Sequence, residues 1–253
     1  MAATDQYIAS IVEKYHVEAE VGSAAHRAAD ELIPNIKRWG KQHLLGITLS
    51  GAYAKNTAVG VSSDADVLVT LKPIAGIEIN NLFWKLFEYL LQENLQPRAR
   101  TVSMQVTIHG HNVDVIPSYR DQGTSVDILY NKKSGKEVQT EVARHVHLIA
   151  NSGRQQEICA FKIWRERNRL EFPSLYLELT VLRALGSENF GKLADNVEAV
   201  LRFLGNRFEG AIVRDPVNSA NVVSNDLSEK EKKAIAKAAR DALYEEKWKK
   251  FLW

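Results

Sequence analysis

Two aspartates separated by one residue, Asp64 and Asp66, are the strongest candidates for chemistry in this sequence. An apolar, β-branched run follows them and predicts a strand over residues 65–71. Side chains two residues apart on a strand point to the same face, so we expect the two carboxylates to aim at one point. Two converging carboxylates repel each other, and a bound cation relieves that repulsion. The alternative is a solvated strand end that binds nothing.

A turn of small residues around Gly51 precedes the aspartates and follows a predicted short strand, residues 46–49. Glycine lets the backbone approach a ligand closely, and successive backbone N–H groups in a turn attract an anion such as a phosphate. A small number of carboxylate ligands favours Mg²⁺, which completes its shell with water and substrate phosphates. Carboxylates beside a phosphate-binding turn therefore indicate phosphoryl or nucleotidyl transfer.

A third aspartate, Asp114, interrupts the apolar run Val113-Asp114-Val115-Ile116. Aspartate is disfavoured within a strand and is costly to bury without a partner. Asp114 therefore requires a cation or a hydrogen-bond donor, unless it lies at a sheet edge and faces water.

The pattern of apolar residues predicts the remaining elements. We expect helix over most of residues 3–40 and over 78–95, and a hairpin formed by 101–108 and 113–117 around the turn at Gly110. Residues 119–140 are polar and contain one predicted short strand, 125–130. From about residue 139 onward the pattern is almost wholly helical.

The stretch TLSGAYAKNTAVGVSSDADVLVTL, residues 48–71, resembles the signature of the DNA polymerase β-like nucleotidyltransferase superfamily. It is most similar to the branch of oligoadenylate synthetases and CD-NTases (cyclic-oligonucleotide synthases), and also to CCA-adding and poly(A) polymerase enzymes. The resemblance implies an α/β (α+β) palm with a mixed sheet, followed by an all-helical C-terminal lobe, with a nucleotide cleft between them. We expect the palm at residues 1–135, N-terminal helices included, and the helical lobe at 136–253.

Later motifs, K-h-W from Lys162 and P-S-x-Y-L-E-L from Pro173, are similar to the helical lobe of the same group. The resemblance implies that Asp64, Asp66 and Asp114 are catalytic and hold two Mg²⁺ ions, with Mn²⁺ as a substitute. It implies nucleotide binding by Ser50, Gly51, Ala52, Lys55, Thr57, Lys162, Ser174 and Tyr176. One position departs from the family, because Ala52 stands where the family has a serine that contacts the triphosphate.

The implied activity is transfer of NMP from an NTP to a hydroxyl with release of pyrophosphate. The favoured product is a short linear or cyclic oligonucleotide signal. Two alternatives stay open: addition of nucleotides to an RNA 3′ end, and a degenerate homologue that binds nucleotide or RNA without turnover. The implied partners are NTPs and an optional RNA acceptor, and the resemblance gives no oligomeric state.

Composition adds general limits. The 253 residues carry a net charge of +2, so binding of a polyanion would depend on a local basic patch. The single cysteine cannot form an intramolecular disulfide, which fits a cytoplasmic protein. No apolar run approaches the roughly 20 residues needed to span a bilayer, so we expect no membrane insertion.

Overall fold

The computed structural model describes residues 2–17, 24–60, 64–186 and 191–244. The chain divides into two compact units. The first, here called the sheet unit, comprises residues 18–56 and 63–147, and the second, the helical unit, comprises 1–17, 57–62 and 148–253. The predicted domain boundaries, 1–135 and 136–253, stay a prediction. No helix in the described ranges is both long and apolar enough to cross a membrane.

The sheet unit contains seven strands and three helices in its described residues, and the chain leaves it within a fourth helix. In chain order the elements are α2 (Ala24–Gly40), β1 (Leu44–Ser50), α3 (Gly51–Ala54), β2 (Ala65–Leu71), α4 (Ile79–Gln92), β3 (Arg98–Ala99), β4 (Met104–Ile108), β5 (His111–Tyr119), β6 (Asp127–Asn131), β7 (Lys136–Thr140) and α5 (Val142–Ala150). The first helix of the chain, α1 (Ala2–Tyr15), belongs to the helical unit.

The sheet is mixed, with the strand order β1-β2-β5-β4-β3, and β6 and β7 extend it from β5. Strand β2 pairs antiparallel with β1 and parallel with β5, and β4 and β5 form the predicted antiparallel hairpin. The buried side chains Val113 and Val115 alternate along β5 with the half-buried Asn112 and Asp114. This alternation places the apolar residues on one face of the sheet and the polar candidates on the other.

The helical unit is built on helices α1, α6 (Gln155–Arg167), α7 (Ser174–Leu185), α8 (Leu193–Asn206) and α9 (Glu229–Tyr244). Its core is a single apolar cluster to which all of these helices contribute, with Trp164, Tyr176 and Phe208 among its largest side chains. A short stretch of residues 57–60 also belongs to this unit, and Val59 is buried in the same cluster.

Strand β2 matches its predicted range, residues 65–71. Helix α4 lies within the range predicted for it. The prediction of a single strand over residues 119–140 is wrong, because this stretch contains two strands, β6 and β7. The two-residue strand β3 was not predicted. Of the residues in the predicted N-terminal helical region, 18–23 lie outside the described part of the chain.

Candidate active site

Four polar side chains form one row across the polar face of the sheet. Strand registers pair Ser50 with Asp66, Asp66 with Asp114, and Asp114 with Gln105. Residues paired in register on neighbouring strands present their side chains to the same face. Asp66 and Asp114 therefore lie side by side on the parallel strands β2 and β5, as the resemblance implies.

Gly51 makes room for the Asp66 carboxyl group. Its φ of +63° is a conformation that residues with a side chain rarely adopt. A Cβ atom built on Gly51 would overlap the carboxyl group of Asp66 and lie 2.8 Å from its Cβ. The glycine turn and the carboxylate are therefore in direct contact, and the turn fixes where Asp66 can point.

We expect Gly51→Ala to destabilise the protein by about 2 kcal/mol or more, because alanine strains the left-handed backbone and displaces Asp66. Gly46→Ala is a matched control, because no atom lies within 4 Å of a Cβ built there and its φ is not positive. Urea unfolding of both variants measures the difference. Equal unfolding free energies for the two variants would contradict the close contact described here.

Asp114 is an unusual carboxylate. Its Oδ1 atom is buried, and no residue in the described ranges donates a hydrogen bond to it. The pKa of Asp114 is raised to about 6, mainly by burial and also by the negative charge of Asp64, and Arg100 offsets part of the rise. A buried carboxylate oxygen without a donor is costly, so this atom is available for a cation or for a proton.

The raised pKa of Asp114 predicts a pH-dependent stability for the metal-free protein. The folded state binds this proton more tightly than the unfolded state does, so stability falls as the pH rises from about 4 to about 6. We expect Asp114→Asn to stabilise the protein by about 2 kcal/mol at pH 8, after allowance for partial exposure, and by little at pH 4. Unfolding in EDTA at both pH values measures this. A variant less stable than the wild type at pH 8 would contradict the assignment.

Asp64 lies immediately before β2, and side chains of the β4–β5 hairpin hold its carboxylate. Gln105 Nε2 donates to Asp64 Oδ2 at 2.7 Å, and Asn112 Nδ2 donates to Asp64 Oδ1 at 3.2 Å. Asp66 contacts the Gly51 turn beside β1, whereas Asp64 binds residues of β4 and β5. The expected convergence of these two carboxylates stays a prediction.

The donor set fits a divalent cation in part. Among the residues that the structure describes, no three His, Cys, Asp or Glu side chains form a group that could hold a metal ion. The adjacent carboxylates of Asp66 and Asp114, with the buried Asp114 Oδ1, are nevertheless hard oxygen ligands of the kind that Mg²⁺ and Mn²⁺ prefer. Asp64 is close enough for its charge to raise the pKa of Asp114. The residues present therefore fit a cation held by Asp66 and Asp114, with Asp64 nearby.

The other residues predicted around the glycine turn lie as follows. Ser50 is buried, and its hydroxyl donates to the backbone oxygen of Asp66 at 3.5 Å. Ala52 is half-buried in α3, and Lys55 is buried directly after that helix. Their contacts with nucleotide stay predictions.

Lys162 and Thr57 meet in the interior of the helical unit. Lys162 Nζ lies 2.8 Å from Glu178 Oε1 and donates to the Thr57 hydroxyl at 2.8 Å and to the Thr57 carbonyl at 3.2 Å. Both Lys162 and Glu178 are 1% exposed. An ammonium group has three hydrogens, and these three acceptors account for all of them. A phosphate contact by Lys162, as predicted, would require it to give up one of these partners.

Ser174 and Tyr176 begin helix α7 in different environments. Ser174 is exposed and its hydroxyl accepts a hydrogen bond from Arg165 Nη1 at 3.0 Å. Tyr176 is fully buried and stacks on Phe208 with ring centroids 5.3 Å apart. Burial raises the pKa of Tyr176 to about 12. The predicted role of Ser174 and Tyr176 in nucleotide binding stays a prediction, and for Tyr176 it requires exposure of a core side chain.

Three site residues were not singled out from the sequence: Gln105, Asn112 and Glu178. For the two amides the available signal was spacing. Asn112 precedes Asp114 by two residues, and the short turn between β4 and β5 places Gln105 opposite Asp114. For Glu178 the signal was a carboxylate among the apolar residues of α7.

Known protein structures share this fold. CdnC from E. coli MS115-1, solved with ATP, superposes with a TM-score of 0.78 at 20% identity over 98% of this chain and 97% of that chain. The CD-NTase CdnG from Bradyrhizobium diazoefficiens, solved with GTP, gives a TM-score of 0.79 at 12% identity over 94% of this chain and 89% of that chain. The poly(U) polymerase Cid1 gives a TM-score of 0.66 at 14% identity over 96% of this chain and 95% of that chain.

The expected nucleotidyltransferase fold is therefore confirmed, including its likeness to the CD-NTases and to RNA-tailing enzymes. No protein-family model and no curated protein sequence matches this chain. At these identities the likeness establishes the fold, and the activity depends on the site residues described above.

Proposed function

We propose that this chain is a metal-dependent nucleotidyltransferase that transfers NMP from an NTP to a hydroxyl and releases pyrophosphate. One observation carries the proposal: Asp66 and Asp114 are register partners on parallel strands, and Asp114 Oδ1 is buried without a hydrogen-bond donor among the described residues. The nucleotidyltransferase fold supports the proposal. The site does so too, since a pair of adjacent carboxylates beside a glycine turn destabilises a sheet, a cost that a purely structural role would leave unexplained.

The chain's own residues have separable roles in this proposal. The Gly51 turn receives the triphosphate through its backbone and holds Asp66 in place. Asp114 accepts the proton of the attacking hydroxyl, because its buried Oδ1 has no hydrogen-bond donor among the described residues. Asp66 and Asp114, with Asp64 nearby, would hold the Mg²⁺ or Mn²⁺. A bound cation supplies charge stabilisation to the phosphates and lowers the pKa of the acceptor hydroxyl. The predicted nucleotide contacts of Lys55, Thr57, Lys162, Ser174 and Tyr176 are kept as proposals.

The acceptor that we propose is a second nucleotide, which gives a short linear or cyclic oligonucleotide. The test is incubation with each α-labelled NTP and Mg²⁺ or Mn²⁺, with and without RNA. Small phosphatase-resistant products support a signal synthase, and extension of RNA alone supports a tailing enzyme. No product under any condition contradicts the proposal and favours a binding protein without turnover.

Ala52 is the observation that favours a protein without turnover. A hydrogen bond to a charged group contributes roughly 1.5–3 kcal/mol, and alanine cannot donate one to a phosphate. We expect Ala52→Ser to raise NTP affinity or turnover, by about tenfold for each 1.4 kcal/mol recovered. If Ser50 already supplies the hydroxyl, Ala52→Ser changes little and Ser50→Ala is damaging. Titration and turnover of both variants separate these cases. No effect in either variant would contradict triphosphate binding at this turn.

A further inference from the structure

Hydrogen bonds from Gln105 and Asn112 engage both carboxylate oxygens of Asp64. Gln105 Nε2 donates to one oxygen at 2.7 Å and Asn112 Nδ2 donates to the other at 3.2 Å. These two residues belong to β4 and β5, in the hairpin that also carries Asp114. We call this set of two amides and one carboxylate the Asp64 clamp.

The orientation of the Gln105 amide is determined by its neighbours. Arg100 Nη2 lies 2.7 Å from Gln105 Oε1, and a guanidinium has only donors, so this atom must be the amide oxygen. The amide nitrogen of Gln105 then faces Asp64, which as a carboxylate can only accept. At Asn112 the carboxylate of Asp64, which can only accept, requires the amide nitrogen, and the Thr107 hydroxyl then donates to Asn112 Oδ1 at 3.0 Å.

The clamp also stabilises the negative charge of Asp64 at a crowded position. Asp66 and Asp114 are neighbours in register, and the charge of Asp64 already raises the pKa of Asp114. Two amide donors stabilise the Asp64 carboxylate without adding positive charge. Gln105 is 5% exposed, so these bonds form where solvent competes weakly.

We propose that Gln105 and Asn112 are positioning residues whose hydrogen bonds hold the Asp64 carboxylate, and that a divalent cation must displace these bonds to bind Asp64. This inference rests on the proposed function, because it takes these carboxylates as the cation ligands. Binding of the cation exchanges the amide donors of Asp64 for the metal, so the clamp lowers metal affinity. The clamp thereby sets the cation concentration at which Asp64 joins Asp66 and Asp114 in binding the cation.

The test measures affinity for Mn²⁺ alone by electron paramagnetic resonance, without nucleotide. Gln105→Met keeps the length of the side chain and removes its donor, and Asn112→Ala removes the second donor at a half-buried position. Each variant is expected to bind Mn²⁺ about fivefold more tightly than the wild type, as expected for loss of one competing hydrogen bond. Gln139→Met is the matched control, because it makes the same change on β7, which pairs only with β6 among the described strands.

A second readout needs no variant. Addition of diamagnetic Mg²⁺ should shift the side-chain amide resonances of Gln105 and Asn112 in the wild type and leave that of Gln139 in place. Circular dichroism shows whether each variant is folded. If Gln105→Met does not fold, the Mn²⁺ affinity of Asn112→Ala and the amide shifts in the wild type still test the clamp.

The outcomes separate the clamp from the proposed function. Wild-type Mn²⁺ binding that is lost in Asp114→Asn supports the carboxylate site. A second outcome overturns the clamp alone: Asp114→Asn loses Mn²⁺ binding, but Gln105→Met and Asn112→Ala bind Mn²⁺ no more tightly than the wild type does. Absence of Mn²⁺ binding by the wild type overturns the metal site and the clamp together.

Discussion

Asp66→Asn is expected to lower the rate of pyrophosphate release from NTP by more than about 100-fold, since a ligand charge worth a few kcal/mol is lost. The fold should persist, because Asp66 and Asp114 are adjacent and the substitution also removes repulsion between them. Steady-state turnover at saturating Mg²⁺ measures the effect, and thermal unfolding shows that the variant is folded.

Asp121→Asn is the matched control for this prediction. It makes the same chemical change at an exposed position in the loop between β5 and β6. Its turnover should stay within about twofold of the wild type, as for surface substitutions in general. Turnover of Asp66→Asn close to that of Asp121→Asn would remove Asp66 from the reaction.

Lys162→Met is expected to destabilise the protein by roughly 3–5 kcal/mol, because it leaves the buried Glu178 carboxylate without its cation. The double variant Lys162→Met with Glu178→Leu should regain most of that loss, since an apolar pair can replace a buried ion pair. Urea unfolding of the single and double variants measures both effects. A single variant within about 1 kcal/mol of the wild type would show that the pair contributes little.

The same lysine provides a test of its predicted role in binding. If Lys162 exchanges a partner for the triphosphate, Lys162→Ala should weaken binding of NTP more than binding of NMP, in variant protein shown to be folded. Equal losses for the two nucleotides would leave Lys162 with the structural role that its three acceptors indicate.

Much of the sheet was predictable because its strands carry strong local signals. Strand β2 is β-branched and apolar throughout, and its predicted bounds hold. The β4–β5 hairpin follows from alternation on both sides of a glycine turn. Strand β7 gave no such signal, because its residues Lys136–Thr140 are mostly polar and mostly exposed and their pairing with β6 depends on the backbone.

The candidate site was only partly predictable, because sequence spacing fixes which face a residue occupies and not where its side chain points. Asp66 and Asp114 share a face, as the resemblance implied, and the Asp64 carboxylate accepts hydrogen bonds from two amides that the sequence did not mark. Lys162 was assigned to a phosphate from a motif, whereas its neighbours Thr57 and Glu178 come from distant segments. Such partners are set by tertiary packing, which local periodicity does not encode.

The most direct test of nucleotidyl transfer is the fate of two labels in one NTP, placed on the α-phosphate and the γ-phosphate. Nucleotidyl transfer predicts that the α label enters a product larger than NMP while the γ label leaves as pyrophosphate, and that Asp66→Asn and Asp114→Asn abolish both of these results. Release of the γ label as orthophosphate, or retention of both labels in intact NTP for every base with Mg²⁺ and with Mn²⁺, would contradict it.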